Sequence, residues 1–307
     1  MIKKDEQQLI QAIRNLKKEK SIYIIAHYYQ REAIQDIADF VGDSYSMAVA
    51  AKQSPGNIIL VAGVDFMAES AAILCPDKMV LSPEPLATCP MANSISAADV
   101  LAYKEQHPDS IIVSYVNTPA EIKAVSDICC TSSNAEKIIN RFPQETNIYF
   151  IPDQNLAVNV AHKLGRKLDY FASFCPIHAR VTKEDLVKQQ EAEPGAMFAV
   201  HPECGPELVA MADYCGSTAG IINYVLTSPA DKFIIATECG VIHAINKANA
   251  NKQLFLASED LICPNMKSIT LDKILYSIEQ MQTIITVPEN IRVRAAMALE
   301  KMIAYGS

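Results

Sequence analysis

The chain has 307 residues, a formal charge of −8 and a pI of about 5.3; half of its residues are hydrophobic and 20% are charged. The acidic balance offers no general attraction to nucleic acid or anionic lipid, and no apolar run approaches the ~20 residues that a membrane helix needs. The length suits two or three domains of about 100 to 150 residues. We expect a cytoplasmic protein that acts on small molecules, not on nucleic acid or membranes.

The first predicted unit begins with a helix over residues 5–20 and a strand over residues 22–27. A helix that ends at Asp39, a second helix that begins near Ser44 and a strand that reaches Asp65 follow. The same order recurs twice, with strands over residues 111–115 and 197–201. Strands joined by helical crossovers form parallel sheets that are covered on both faces.

Equivalent positions of the three units lie 85 to 88 residues apart. Aligning the ends of the first strands places His27, Ser114 and His201 in register. The later positions form three further sets: Asp39, Asp127 and Asp213; Ser44, Ser132 and Thr218; and Asp65, Asp153 and Glu238. The sequence therefore predicts an α/β fold of three homologous αβα-sandwich domains about a pseudo-threefold axis, with the active site at the centre.

Each predicted boundary lies near a Cys-Pro pair, at Cys89, Cys175 or Cys263, and a helix-capping hydroxyl follows each of these cysteines after seven residues. The predicted domains are residues 1–88, residues 89–174 and residues 175–267. A fourth copy of the capped helix follows Cys263. We expect the helices over residues 268–307 to pack back on the first domain and complete it.

The chain contains nine cysteines but no C-x-x-C pair, so any metal site must combine distant parts of the sequence. Three units that meet at one axis would bring Cys89, Cys175 and Cys263 together, and three thiolates suit a [4Fe-4S] cluster with one open iron. Zinc is the competing metal, and from the spacing alone, plain burial of the cysteines is as good an explanation as a metal site.

Ten short motifs between residues 22 and 267 resemble those of the quinolinate synthase family, in the same order. They are IIAHYYQ, GDSYSMA, VSYVNT, CTSSNA, IPDQNLA, FCPIHAR, HPEC, GSTAG, TECGVIH and ICPNMK. The resemblance implies condensation of iminoaspartate with dihydroxyacetone phosphate to give quinolinate, phosphate and water in NAD biosynthesis. It further implies a [4Fe-4S] cofactor and a functional link to an L-aspartate oxidase or dehydrogenase. The tight C-x-x-C-x-x-C of some longer relatives is absent.

When the family's site residues are carried over to the matching motifs, the implied cluster ligands are Cys89, Cys175 and Cys263. The implied substrate-binding residues are His27, Ser44, Tyr115, Asn117, Ser132, His201, Glu203 and Thr218. The implied catalytic residues are His27, Tyr29, His201 and Glu203, of which Glu203, a carboxylate next to a histidine, is our candidate general base. On the residues alone, the histidines could be structural, and the three helix-start hydroxyls could be caps only.

The remaining candidates receive structural roles. We expect Asp65, Asp153, Glu238 and His243 to support loops around the site. The other six cysteines are interpreted as buried or incidental: Cys75, Cys129, Cys130, Cys204, Cys215 and Cys239. Three other functions stay open, namely a [4Fe-4S] hydro-lyase that acts on a different hydroxy acid, a non-enzymatic iron–sulfur sensor and a zinc enzyme.

Overall fold

The computed structural model describes residues 5–249 and 251–306, and its strands form three sheets with the same topology. The first sheet contains β1 (Ile22–His27), β2 (Phe40–Gly42), β3 (Ile58–Ala62) and β4 (Met79–Leu81). The second contains β5 (Ile111–Tyr115), β6 (Ile128–Cys130), β7 (Ile148–Ile151) and β8 (Asp169–Tyr170). The third contains β9 (Met197–Val200), β10 (Tyr214–Cys215), β11 (Lys232–Ala236) and β12 (Gln253–Leu256).

Every strand pair within these sheets is parallel, and the strand orders are β2-β1-β3-β4, β6-β5-β7-β8 and β10-β9-β11-β12. In the third sheet, Phe198 and Val200 contribute to one apolar cluster while Ala199, between them, contributes to another. Successive side chains of a strand point to opposite faces, so this sheet is covered on both faces. The predicted α/β fold with three parallel-sheet units is confirmed.

The helices follow the same three-part order. The first unit contains α1 (Glu6–Glu19), α2 (Glu32–Ile37), α3 (Ser44–Gln53) and α4 (Asp65–Leu74). The second contains α5 (Ala97–Gln106), α6 (Ala120–Val125), α7 (Ala135–Ile139) and α8 (Gln154–Leu164). The third contains α9 (Lys183–Ala192), α10 (Pro206–Val209), α11 (Thr218–Thr227) and α12 (Val241–Ala248). Then come α13 (Pro264–Lys267), α14 (Leu271–Gln280) and α15 (Glu289–Gly306), and two short 3-10 helices cover Ala92–Ser94 and His178–Arg180.

The hydroxyl residues that follow the three Cys-Pro pairs cap helices as predicted. Ser96 and Thr182 each form a capping box, with Asp99 and Asp185 respectively. Thr270 accepts a hydrogen bond from the backbone N–H of Lys273 at the start of α14. These side chains satisfy N–H groups that the first turn of a helix leaves unpaired.

The alignment that placed Ser114 opposite His27 and His201 is wrong by one residue. An aspartate carboxylate accepts a hydrogen bond from the backbone N–H of Ile24, Ile112 and Phe198, at 2.8, 2.8 and 2.7 Å. Counting three residues along each strand from these equivalent positions gives His27, Tyr115 and His201. The buried Ser114 side chain instead contacts Thr118, because neighbouring residues of a strand point to opposite faces.

Of the four strands in each unit, the sequence predicted the two central ones and missed the two edge strands. The missed strands are β2, β6 and β10 at one edge of each sheet and β4, β8 and β12 at the other. They are short, and β8 consists only of Asp169 and Tyr170. A two-residue strand without an apolar run carries no periodic signal that a sequence can reveal.

The segment after Cys263 packs on two units: the first, on which we expected it to pack, and the second. Helix α14 packs against α1, and backbone hydrogen bonds join Thr283 to Ser82 and Ile285 to Val80 at the edge of the first sheet. Helix α15 packs most extensively against α6 and β6 of the second unit, and also against α4 of the first. This helix therefore bridges the two units.

The three units contact one another in a cyclic pattern. On α4, the Glu69 carboxylate accepts a hydrogen bond from the Ala120 N–H, which follows the end of β5. On α8, Asn159 contacts the turn after β9. Before α12, the Gly240 carbonyl accepts a hydrogen bond from Gln35, which also binds the turn after β1. In each case, a residue in, or just before, the helix after the third strand of one unit contacts the segment between the first and second strands of the next unit.

In the part of the chain that the structure describes, no helix is both long enough and apolar enough to span a membrane.

Candidate active site

A cavity of about 330 Å³ lies where the three units meet. Eleven of the twelve residues that the sequence singled out as ligands, catalytic groups or substrate contacts line it: His27, Tyr29, Ser44, Cys89, Tyr115, Asn117, Ser132, Cys175, His201, Thr218 and Cys263. The twelfth, Glu203, is buried next to two histidines of the same cavity wall. Each unit thus contributes three matched residues to the cavity: one at the end of its first strand, one near the start of its second helix and one cysteine.

The three cysteines at the predicted unit boundaries face this cavity, and among the described residues the other six cysteines do not line it. Burial raises the pKa of Cys89 to about 12 and also raises the pKa values of Cys175 and Cys263. Without a metal, these thiols are therefore protonated at neutral pH. A metal that binds them must displace their protons.

Carboxylates hold the backbone of the cysteine loops. Asp153 accepts a hydrogen bond from the Cys175 N–H at 3.0 Å, and Glu238 accepts one from the Cys263 N–H at 3.1 Å. The Cys89 N–H is among the hydrogen-bond donors that oppose the burial-induced rise in the pKa of Asp65. Asp65, Asp153 and Glu238 were predicted to support loops around the site, and each contacts the loop that carries one of the three cysteines. His243 lies outside the cavity lining and contacts Asp36 at the boundary between the first and third units.

His27 and His201 have the same local geometry. The Tyr29 N–H donates to Nδ1 of His27 at 3.1 Å, and the Glu203 N–H donates to Nδ1 of His201 at 3.3 Å. Because Nδ1 accepts in both cases, the proton of the neutral ring lies on Nε2. Burial lowers the pKa of each histidine to about 3. Both residues are therefore neutral hydrogen-bond donors at neutral pH, and Nε2 of His201 lies 3.2 Å from Oγ of Ser132.

Glu203 contacts a histidine that the sequence interpretation did not single out. Its carboxylate lies 2.7 Å from Nδ1 of His178, whose ring stacks on His201 with centroids 4.5 Å apart. Burial would raise the pKa of Glu203, but His201 and hydrogen bonds from His178 and Tyr115 outweigh this effect and lower the pKa to about 2. Glu203 is therefore ionised at neutral pH.

A chain of hydrogen bonds crosses the cavity wall from the first unit to the third. Oη of Tyr29 lies 2.9 Å from Oγ1 of Thr218 and 2.8 Å from Oγ1 of Thr237. Oγ1 of Thr237 lies 3.0 Å from Nε2 of His178, which continues to Glu203. Hydrogen bonds in such a chain polarise and strengthen one another, so the chain links Tyr29 to Glu203 across the two units.

The three predicted helix-start hydroxyls line the cavity, but they do not act as caps. Asp43 and Ser217 cap α3 and α11, so Ser44 and Thr218 are the first helical residues and their hydroxyls remain available for other contacts. Ser132 lies in a turn three residues before α7 begins. Two of the three positions are therefore true helix starts, where backbone N–H groups favour an anion.

Four residues around the site were missed: His178, Arg180, Thr237 and Lys267. The first two line the cavity, and Lys267 forms an ion pair with Glu238 at 2.9 Å. The repeat could not reveal His178, because Ala92 and Met266 occupy the equivalent positions, three residues after the other two cysteines. The sequence signal that could have identified His178 is its place in the motif FCPIHAR, which resembles a motif of the family.

Two features of the described residues point to ligands. Oδ1 of Asn117 is buried at the cavity without a hydrogen-bond partner in the structure, and a buried polar atom of this kind normally has one. Cys175, His178 and Glu203 form a candidate metal-binding group, whose ligand atoms lie within 4.8 Å of one another. The site thus combines thiols, neutral imidazole donors and hydroxyls in an enclosed space.

This architecture defines a class of protein in which three equivalent α/β units share one central, thiol-lined cavity. The family model for quinolinate synthetase A protein (NadA) matches residues 11–304. Quinolinate synthase of Methanosarcina barkeri is 46% identical over 297 residues, which cover 97% of each chain. A quinolinate synthase of Thermus thermophilus is 43% identical over 311 residues, again 97% of each chain. A quinolinate synthase of Dehalococcoides mccartyi is 45% identical and covers 95% of this chain and 96% of its own.

The chain therefore belongs to the quinolinate synthase family, as its motifs indicated, and it is an enzyme.

Proposed function

We propose that this enzyme is a quinolinate synthase, which condenses iminoaspartate with dihydroxyacetone phosphate to give quinolinate, phosphate and water in NAD biosynthesis. The observation that carries the proposal is the convergence of three matched positions from each unit, together with three thiols, around one cavity. Iminoaspartate would come from an L-aspartate oxidase or dehydrogenase, to which we propose a functional link.

We propose that Cys89, Cys175 and Cys263 hold a [4Fe-4S] cluster. The donor set fits, since each unit contributes one thiol to the same cavity, and thiolates are the usual ligands of such clusters. Two thiolates on a single zinc ion would lie about 3.8 Å apart. Among the described residues, these three cysteines do not form a group close enough for one ion. A multi-iron cluster spans a wider separation.

A mononuclear metal at Cys175, His178 and Glu203 is the second candidate, because these residues form a compact group. However, Nδ1 of His178 and the Glu203 carboxylate are only 2.7 Å apart. Ligand atoms on a tetrahedral zinc ion would be separated by about 3.4 Å. The shorter distance is typical of a hydrogen bond between the two side chains. We therefore favour the three-cysteine cluster.

With three protein ligands, the cluster would supply a Lewis-acidic iron for a substrate hydroxyl or carboxylate. The chain's own residues do the rest. Neutral His27 and His201 donate through Nε2, while Ser44, Ser132 and Thr218 offer hydroxyls to anionic groups of the substrates.

We propose that Tyr29 and Glu203, at opposite ends of the hydrogen-bond chain, move protons. The pKa of Glu203, about 2, makes it a weak base in the ligand-free protein. Bound carboxylate and phosphate groups would raise that pKa, because like charges disfavour ionisation.

The test is to purify the protein without oxygen, measure iron and sulfide, and assay quinolinate formation from the two substrates. We expect about four irons per chain and quinolinate as the product. Cys89→Ser, Cys175→Ser and Cys263→Ser should each lose or damage the cluster, because serine is a poor substitute for thiolate at iron. Cys215→Ser is the matched control, since Cys215 is a partly buried thiol outside the cavity lining.

One zinc per chain that survives Cys89→Ser and Cys263→Ser would establish the mononuclear site instead. An intact cluster without quinolinate formation would favour a hydro-lyase or a sensor.

A further inference from the structure

Two asparagines on α8 of the second unit bind the turn of the third unit that carries Glu203. Nδ2 of Asn159 donates to the carbonyl of Pro202 at 2.8 Å and to that of Cys204 at 3.0 Å. Nδ2 of Asn155 donates to the carbonyl of Glu203 at 3.0 Å. The two asparagines are four residues apart and therefore lie on the same helix face. Three consecutive carbonyls are bound in this way.

No other hydrogen bond to these three carbonyls occurs among the described residues. Pro202, Glu203 and Cys204 are buried, so water does not replace the asparagines as a partner. A buried carbonyl without a hydrogen bond is costly, and the turn would therefore have to move if the amides were lost. The conformation of residues 202–204 depends on α8.

The same helix also holds one of the cysteines. Asp153, the N-cap of α8, binds the N–H of Leu156 with one carboxylate oxygen and the N–H of Cys175 with the other. Residues at the start and on one face of α8 thus fix both a cavity thiol and the turn after His201. The relative placement of these groups is set by one rigid element.

We propose that Asn155 and Asn159 are positioning residues that act through this turn to hold the Glu203 carboxylate and the His201 ring for the reaction. The inference rests on the proposed function only for its kinetic readout. Neither asparagine lines the cavity, so both act without contacting substrate. A displacement of about 1 Å at a reacting group can reduce the rate by about 10²-fold.

Arg166 provides a matched control, because it makes the same kind of contact away from the site. Its guanidinium donates to the carbonyls of Ile139, Phe142, Pro143 and Thr146, and it lies just after the end of the same helix. Arg166→Lys keeps the charge but removes the forked donor. It should reduce stability without altering the turn at residues 202–204.

The experiment compares Asn159→Leu, Asn155→Leu and Arg166→Lys with the wild-type enzyme carrying its native metal cofactor. Metal content, kcat, KM and amide hydrogen exchange of residues 201–205 are measured for each. For Asn159→Leu we expect kcat to fall by roughly 10- to 100-fold with unchanged metal content, and exchange of the turn to accelerate. Asn155→Leu, which loses one hydrogen bond, should show the same changes to a smaller extent. Arg166→Lys should alter neither kcat nor exchange at the turn.

Unchanged exchange and unchanged kcat in Asn159→Leu would overturn the proposal, as would an equal loss of kcat in Arg166→Lys. If Asn159→Leu does not fold, Asn155→Leu decides by the same criteria. A wild-type enzyme that forms no quinolinate would defeat the proposed function, while the exchange measurement would still decide whether the asparagines hold the turn.

Discussion

At the scale of single residues, desolvation governs the chemistry of the cavity. His27 and His201 are buried and neutral, and the backbone N–H two residues later selects their Nε2 tautomer. The enzyme therefore presents imidazole hydrogen-bond donors without placing positive charge in its core. Such donors can polarise carbonyl or carboxylate oxygens while their own protonation state stays fixed between about pH 5 and 8.

The depressed pKa of these histidines makes folding stability depend on pH. Unfolded histidine binds a proton below about pH 6.5, whereas His27 and His201 remain neutral in the folded state down to about pH 3. The unfolded state therefore binds more protons in this window, and stability falls as pH decreases. Each histidine should contribute a slope of about 1.4 kcal/mol per pH unit once the pH is well below 6.5.

Urea unfolding of the metal-free protein at several pH values between about 7.5 and 5 would measure this slope. His201→Asn retains an oxygen acceptor for the Glu203 N–H and should flatten the dependence. The control is His162→Asn, since His162 is exposed on α8 outside the cavity lining. Equal slopes in wild type and His201→Asn would contradict the neutral assignment.

Glu203→Gln tests proton transfer directly, because it preserves the shape of the side chain and removes its negative charge. We expect turnover to fall by roughly 10² or more, the usual scale for general acid–base catalysis, while iron content stays normal. The measurement is kcat together with iron and sulfide analysis of the same preparation. Near-normal turnover in a fully loaded enzyme would exclude Glu203 from this role.

The residues that the sequence revealed are those that recur in the repeat. Tyr115 and Asn117 were found from their motif, although the repeat alignment had placed Ser114 at the equivalent of His27. That error was one residue, and in a strand a shift of one residue selects the opposite face. His178 was missed because it occurs in one unit only, where its contacts with Glu203 and Thr237 arise from tertiary folding.

At the scale of helices and strands, the cyclic contacts between units position the turns that carry cavity residues. Gly240 shows how close these contacts are, since a Cβ at this position would lie 2.9 Å from Cα of Tyr29 and even nearer to the carbonyl oxygen of Tyr28. The loop before α12 and the turn after β1 can therefore touch only if residue 240 lacks a side chain. Tyr29 depends on the third unit for its position.

Gly240→Ala should separate the first and third units locally and displace Tyr29. We expect a loss of about 1 to 3 kcal/mol in the free energy of unfolding, the usual cost of overpacking, together with a clear fall in kcat. Gly165→Ala is the matched control, because its Cβ would meet no atom within 4 Å and its φ of +60° accounts for a comparable stability cost. If both variants kept full kcat, the contact at Gly240 would have no role in positioning Tyr29.

Secondary structure was predictable where the sequence contains a long apolar run or a clear helix-capping residue. The central strands and the capped helices at Ser96 and Thr182 follow directly from local sequence. The edge strands β8 and β12 and the path of α15 were not predictable, because they depend on which surface remains uncovered once the sheets have formed. Hydrophobic periodicity identifies that a helix such as α15 has a buried face, but not which unit it packs against.

At the scale of the whole molecule, the proposed cluster would join all three units, of which the first two are also bridged by α15. A ligand that binds only the folded state stabilises it by mass action. Removing the cluster with a chelator under reducing conditions should therefore lower the Tm. Each kcal/mol of lost binding free energy lowers the Tm by about 2 to 4 °C in domains of about 150 to 250 residues.

Differential scanning calorimetry of the same preparation before and after iron removal would measure this change. The Cys215→Ser protein should show the same decrease as wild type, while Cys175→Ser should already melt at the lower temperature. Identical melting of the loaded and stripped wild-type protein would mean that the three units do not share a metal.

The cyclic order of the units also has a consequence for biosynthesis. Domains tend to fold as they emerge from the ribosome, N-terminal first. The first two thiols, Cys89 and Cys175, are made well before Cys263, and the contact between Gln35 and the Gly240 carbonyl forms only after residue 240 has been synthesised. The complete cavity, with its three thiols, thus forms only when the third unit docks on the first. A nascent chain that lacks the third unit therefore presents two of these thiols without the enclosure that surrounds them in the folded protein.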